Sequence, residues 1–225
     1  CEVAGLALPF DLAVFFAATA RANAAWFPLP LVGLALALAA VALVARPPAG
    51  RERLAARLVG LVLAAFALWV GAVQQLRVMA TFDFMAPLYG WAWIAHGTVV
   101  ALVVSGLGLV RFARRDRFDA VGIALVLLGT VGYPLAVLAL GHDWRALPLA
   151  GTAADPTAIV TAGLALTARG RARLLLLPLL VVWAGVAALH AHLLSFPLDY
   201  TVALAVAIAA VGTFARRRDE VAALS

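Results

Sequence analysis

PTAIVTAGLALTA, residues 156–168, is the segment on which the topology of this chain turns. It is apolar but short, since a helix that crosses a bilayer needs about 20 mostly apolar residues. Six longer apolar stretches surround it: residues 28–45, 54–76, 87–110, 120–140, 174–194 and 197–214. Charge arbitrates. If 156–168 crosses, four Arg groups share one side: Arg46, Arg51, Arg53 and Arg57; Arg111, Arg114, Arg115 and Arg117; Arg169, Arg171 and Arg173; and Arg216, Arg217 and Arg218. Only Arg21, Arg77 and Arg145 then face the other way. If 156–168 folds back instead, the last two groups change sides and the pattern breaks. The positive-inside rule therefore predicts seven transmembrane helices, N-terminus out and C-terminus in. Residues 156–168 either borrow 151–155 to reach span length or form a short helix buried among its neighbours.

Composition agrees with that reading. The 225 residues are 66% hydrophobic and 12% charged, and the mean hydropathy is +1.06. A soluble domain has about 45–50% apolar and about 25% charged residues, so a soluble globular fold and a disordered chain are both excluded. The fold class is all-α, a polytopic membrane helix bundle in the bacterial cytoplasmic (inner) membrane. Residues 28–214 make the membrane domain and 215–225 an Arg-rich cytoplasmic tail. In the N-terminal segment, 1–27, Phe10, Val14, Phe15 and Ala18 recur at helical spacing among the polar Asp11, Arg21 and Asn23. This predicts an amphipathic helix on the outer surface, anchored by Trp26 at headgroup level.

Several chemistries are closed to the sequence. All 17 basic residues are Arg, so no Lys can form a Schiff base. Cys1 is the only cysteine, which rules out an internal disulfide or a CxxC redox pair. Val3–Phe10 lacks a basic n-region and does not read as a signal peptide. The Cys1 start reads as removal of the initiator Met or as a boundary of this sequence, with lipidation of Cys1 as a second anchor the other reading. The net charge of +6 comes from Arg between apolar spans, with no aromatic-interleaved basic patch, so nucleic acid is not an expected partner. The expected partners are the lipid bilayer and a larger membrane protein complex. Seven spans do not divide into inverted halves, against one common transporter architecture. Ser105-Gly106-Leu107-Gly108 reads as a small-residue packing stretch.

Polar groups in lipid are costly, so their placement is the best guide to function. They are lopsided. Gln74 and Gln75 end the second span on the outer side, and His96 lies some turns into the third. Tyr133 precedes Pro134 in the outer half of the fourth. His142 and Asp143 follow it, Asp155 and Thr157 open the fifth, and His190 and His192 end the sixth. Together they predict a polar vestibule open to the outer face. Pro134 and Pro178 are expected to kink their spans and free carbonyls for a solute. Neutral imidazole suits transition metals, which makes His142, His190 and His192 metal candidates and haem or a metal ion a conceivable cofactor, although none is predicted. His190 and His192 are two apart and so point to different faces of a helix. Ser105 lies about 13 Å of helix rise from His96, too far for a nucleophile–base pair on that helix.

Gly132-Tyr133-Pro134-Leu135, Gly141-His142, Pro148, Pro156-Thr157, Thr161 and Gly163 resemble a family of uncharacterised bacterial multi-pass membrane proteins, described only as a domain of unknown function. Asn23, Trp26 and Pro28, and Trp69 with Gly71, match as well. The resemblance implies an integral membrane protein and supplies no catalytic residues. The chain departs from it at Gln74-Gln75, where a Tyr-His pair is common, and at Asp155, where Cys is common. The function expected first is a non-enzymatic accessory or assembly subunit of a membrane complex. A small-solute transporter or binder using the vestibule comes second, and a haem- or metal-binding protein third.

Overall fold

The computed structural model describes residues 10–114 and 116–222; Cys1, Glu2, Val3 and Arg115 lie outside the described residues. Among the described residues it is all-α, with eight helices. α1 is Leu12–Ala25 and α2 Leu29–Ala45. α3 is Glu52–Thr81, α4 Ala86–Gly106 and α5 Arg117–Ala139. α6 is Ala154–Thr167, α7 Ala172–Leu193, and α8 Tyr200–Ala222 follows a 3-10 turn, Pro197–Asp199. The only ladder among the described residues pairs Arg111 with Arg169 and Phe112 with Ala168, antiparallel.

Among the described residues, five helical stretches are long and apolar enough to cross a membrane: α3, α4, α5, α7 and Pro197–Arg216. The count is six if α1 and α2, which meet at 89°, form one broken span. Two expected spans are shorter than a full crossing. Residues 28–45 yield a helix of 17 residues and 156–168 one of 14. The shortness of α6 has a physical reason. From Pro156 to Ala168 every residue is buried, because α5, α7 and α8 pack round it. A helix that meets protein on all sides need not match the thickness of lipid. Its hydroxyls are satisfied locally: Thr161 donates to Thr157 O and Thr167 to Leu164 O.

Close backbone approach builds this centre. A Cβ added to Gly122 of α5 would sit 2.5 Å from Gly163 O, and one added to Gly163 would sit 2.5 Å from Gly122 O. Only Gly at both positions lets the two helices meet there.

Elements gather at two ends. At one, Thr167 O accepts from Ala113 N–H, and Asp116 caps α5 in a reciprocal box with Asp119. Arg169 and Arg216 both reach these carboxylates, at 2.7 Å (Arg169–Asp119) and 2.9 Å (Arg216–Asp116). Burial raises the Asp116 carboxyl, but the Asp119 N–H and the charges of Arg216 and Arg169 outweigh it and hold it below its usual 3.8. At the other end, α1 lies across the bundle. Asn23 Nδ2 donates to Arg145 O and Leu147 O, 3.0 and 2.9 Å, and Trp26 meets Trp69 edge-on. These contacts account for Asn23, Trp26 and Trp69 among the resembling positions.

The prolines act differently from one another. Pro134 lies two residues beyond a π-helical turn, Leu128–Gly132, in α5. Pro178 follows a bend at Leu177 in α7. It opens the α-helical part after a 3-10 stretch, a position where its missing N–H costs nothing.

Candidate functional site

At the end covered by α1, polar and aromatic side chains from four helices and two turns surround a small chamber. Gln74 and Gln75 come from α3, Asp83 from the α3–α4 turn and Tyr89 from α4. Asp155 comes from the first turn of α6, Trp183 and His190 from α7, and Asp199 from the turn before α8. Phe10 and Phe15 of the N-terminal segment and Phe196 close it on the apolar side. About 30 Å³ is open to the centres of water molecules, room for about two.

Local structure explains who points inward. Adjacent residues of an α-helix diverge by about 100°, yet Gln74 and Gln75 are both buried. They lie in a π-helical segment, Val70–Val78, whose wider turn lets both face the bundle. Asp83 Oδ1 accepts from Met85 N–H at 2.9 Å, which fixes its carboxylate at the head of α4. Trp183 Nε1 donates to Asp155 Oδ1 at 2.9 Å. The Tyr133 hydroxyl donates to Asp199 Oδ1, and both groups are buried. Gln74 Oε1 is buried and finds no hydrogen-bond partner among the described residues, a condition that calls for an explanation in a packed interior.

The structure thus brings Gln74, Gln75, Asp155 and His190 together, with Tyr133 joined through Asp199. The other vestibule candidates lie elsewhere. His142 stacks on Phe16 at 3.8 Å between centroids. Asp143 is exposed and accepts from Arg145 N–H. Thr157 accepts from Gly151 N–H at 2.8 Å and so holds the loop before α6. His192 is exposed. His96 is buried against Trp93, and its Nε2 has no partner among the described residues. Ser105 donates to Arg57 O at 3.0 Å, a packing contact at the arginine end. Among the described residues no three His, Cys, Asp or Glu side chains converge in a way that could hold a metal ion.

Asp83, Tyr89, Trp183 and Asp199 were not among the expected site residues. Asp199 carried a signal: it is an acidic residue within the first turn of an apolar stretch. The chemistry of the chamber follows from the groups that line it. Three carboxyl groups and one imidazole are among the groups that line this site, which aromatic rings close. Such a site favours a small solute that donates hydrogen bonds or carries positive charge.

Residues 12–223 match a family described as a family of unknown function (DUF6064). The chain belongs to this family. The match spans both the chamber and the arginine end. No curated protein and no solved structure matches the chain.

Proposed function

We propose that this member of the DUF6064 family is a multi-pass protein of the bacterial inner membrane that binds, and passes on, a small cationic or hydrogen-bond-donating solute from the outer face. In this reading the chain crosses seven times, N-terminus out, with α6 as a crossing sheathed in protein. The gathering of Asp116, Asp119, Arg169 and Arg216 at one end, with the chamber at the other, supports that orientation. α1 then lies in the outer interface as the lid of the chamber. The observation that carries the function is the convergence of Asp155, Asp199 and the unpartnered Gln74 Oε1 on one cavity among membrane-length helices. Ionisable groups in such a place are retained for ion and solute pathways. Space for about two waters limits the ligand to the size of ammonium or methylammonium.

The test is thermal unfolding of the purified protein in dodecylmaltoside with ammonium and methylammonium, and tetraethylammonium as the oversized control. The small cations should raise the melting temperature, and Asp155→Asn and Asp199→Asn should remove the effect. A wild-type protein indifferent to every small cation sinks the proposal.

A second reading, an accessory subunit of a larger membrane complex, is favoured by one feature. An apolar groove of about 620 Å³ opens sideways between the α1–α2 bend and α5, lined by Phe27, Leu31, Leu34, Val131 and Leu135. Its size suits a partner helix. A partner that co-migrates at fixed stoichiometry from native membranes, and is lost on Leu31→Trp, supports this reading; migration as a self-contained species overturns it.

A further inference from the structure

We propose that a pocket at the arginine end is a binding site for the phosphate group of an anionic phospholipid. The pocket holds about 250 Å³ and is lined by Arg53, Arg57, Arg111, Leu107 and Gly108. Arg53 and Arg57 stand four apart on α3 and so project from one face. Arg57 is held in place: its carbonyl accepts from Ser105, and its guanidinium packs beside Gly108, where the backbone takes φ +63°. Arg111 is fixed at the backbone by its ladder pairing with Arg169.

The charge is not cancelled within the protein. Arg169 and Arg216 pair with Asp116 and Asp119, but no carboxylate lies within ion-pair distance of Arg53, Arg57 or Arg111 among the described residues. The nearest acidic side chain in sequence, Glu52, accepts from Gly50 N–H instead. Three guanidinium groups that share a pocket repel one another, and an anion relieves that repulsion. Arginine matches phosphate oxygens with paired donors.

The surroundings select a lipid over free phosphate. Leu54, Leu58 and Leu61 run along α3 beside these arginines, and all are exposed. Leu107 lines the pocket and is itself 66% exposed. A phosphate seated on the arginines therefore has apolar surface next to it for acyl chains. Basic pockets between membrane helices on the inner side are suited to anionic headgroups.

The experiment is native mass spectrometry of the full chain in detergent, titrated with phosphatidylglycerol or phosphatidylcholine, with and without inorganic phosphate. Phosphatidylglycerol should bind more tightly than phosphatidylcholine. Arg53→Gln, Arg57→Gln and Arg111→Gln should each weaken it about fivefold, while Arg77→Gln leaves it unchanged. Leu107→Glu keeps every arginine and puts a carboxylate at the mouth; it should weaken binding too, which separates the site from any folding defect. Equal binding of the two lipids, or unchanged binding in the Arg57 and Leu107 variants, overturns the proposal. Strong binding of inorganic phosphate with no preference between lipids assigns the pocket to a soluble phosphate and overturns the lipid assignment.

Discussion

The Tyr133 hydroxyl donates to the Asp199 carboxylate and joins α5 to the turn before α8, 66 residues further along the chain. Both groups are buried, so each relies on the other in place of water. Tyr133→Phe leaves the carboxylate short of a donor and should cost about 1–3 kcal/mol. Unfolding by denaturing detergent measures this. The double variant Tyr133→Phe, Asp199→Asn should cost less than the sum of the single changes. Strict additivity means that the two residues do not act as a unit.

Gly163 and Gly185 make a matched pair. A Cβ at Gly163 meets the backbone of α5, whereas a Cβ at Gly185 meets nothing within 4 Å. Gly163→Ala should destabilise by about 1–3 kcal/mol. Gly185→Ala, in an exposed helical position, should stabilise by about 0.5–1 kcal/mol. The same unfolding assay reads both, and a reversed order would falsify the packing argument.

Asp116 gives the arginine end a dependence on pH. Its folded-state value lies below the usual 3.8, so the folded protein binds the proton less readily than the unfolded chain. The stability this contributes is present above the unfolded value and disappears as the pH falls through the folded one. Melting temperature should drop more steeply between about pH 5 and pH 3 in the wild type than in Asp116→Asn. Parallel curves would assign the acid sensitivity to other groups.

Orientation can be read with thiols, because Cys1 is the only cysteine and Cys1→Ser gives a clean background. Ala49 and Asp143 are exposed at opposite ends of the bundle. In intact cells an impermeant maleimide should label Asp143→Cys and spare Ala49→Cys until the membrane is permeabilised. The opposite pattern would reverse the topology.

Hydropathy made most of the helices legible, and the distribution of Arg foretold that 46–57, 111–117 and 169–173 belong together. The ladder between Arg111 and Arg169 now joins two of those groups physically. Their acidic counterparts were not legible: Asp116 and Asp119 adjoin an apolar stretch, and only the cap geometry turns them toward Arg169 and Arg216. In the chamber, Gln74, Gln75, Asp155 and His190 stood out as polar residues beside apolar runs. Asp83 did not, since it sits in a turn where an acidic residue is ordinary, and the signal of Asp199, an acidic residue opening an apolar stretch, is one that many helix starts share. Their convergence depends on helices far apart in sequence, and no periodicity records it. Nor does the sequence announce the π-helical turn that lets two adjacent glutamines face the same way. The scattering of the histidines has a related cause: the amphipathic ring of His142 finds Phe16 as readily as it finds a ligand.

The sheathing of α6 bears on how the protein is made. A ribosome delivers α5, then α6, and only afterwards α7 and α8, which complete the cover. With 14 residues, α6 is too short to settle stably across lipid by itself. Its early partner is α5, through Gly122 and Gly163, and that contact must hold it until the rest of the chain emerges. In the seven-span reading proposed above, the central helix is then escorted in as a hairpin with α5 and enclosed last.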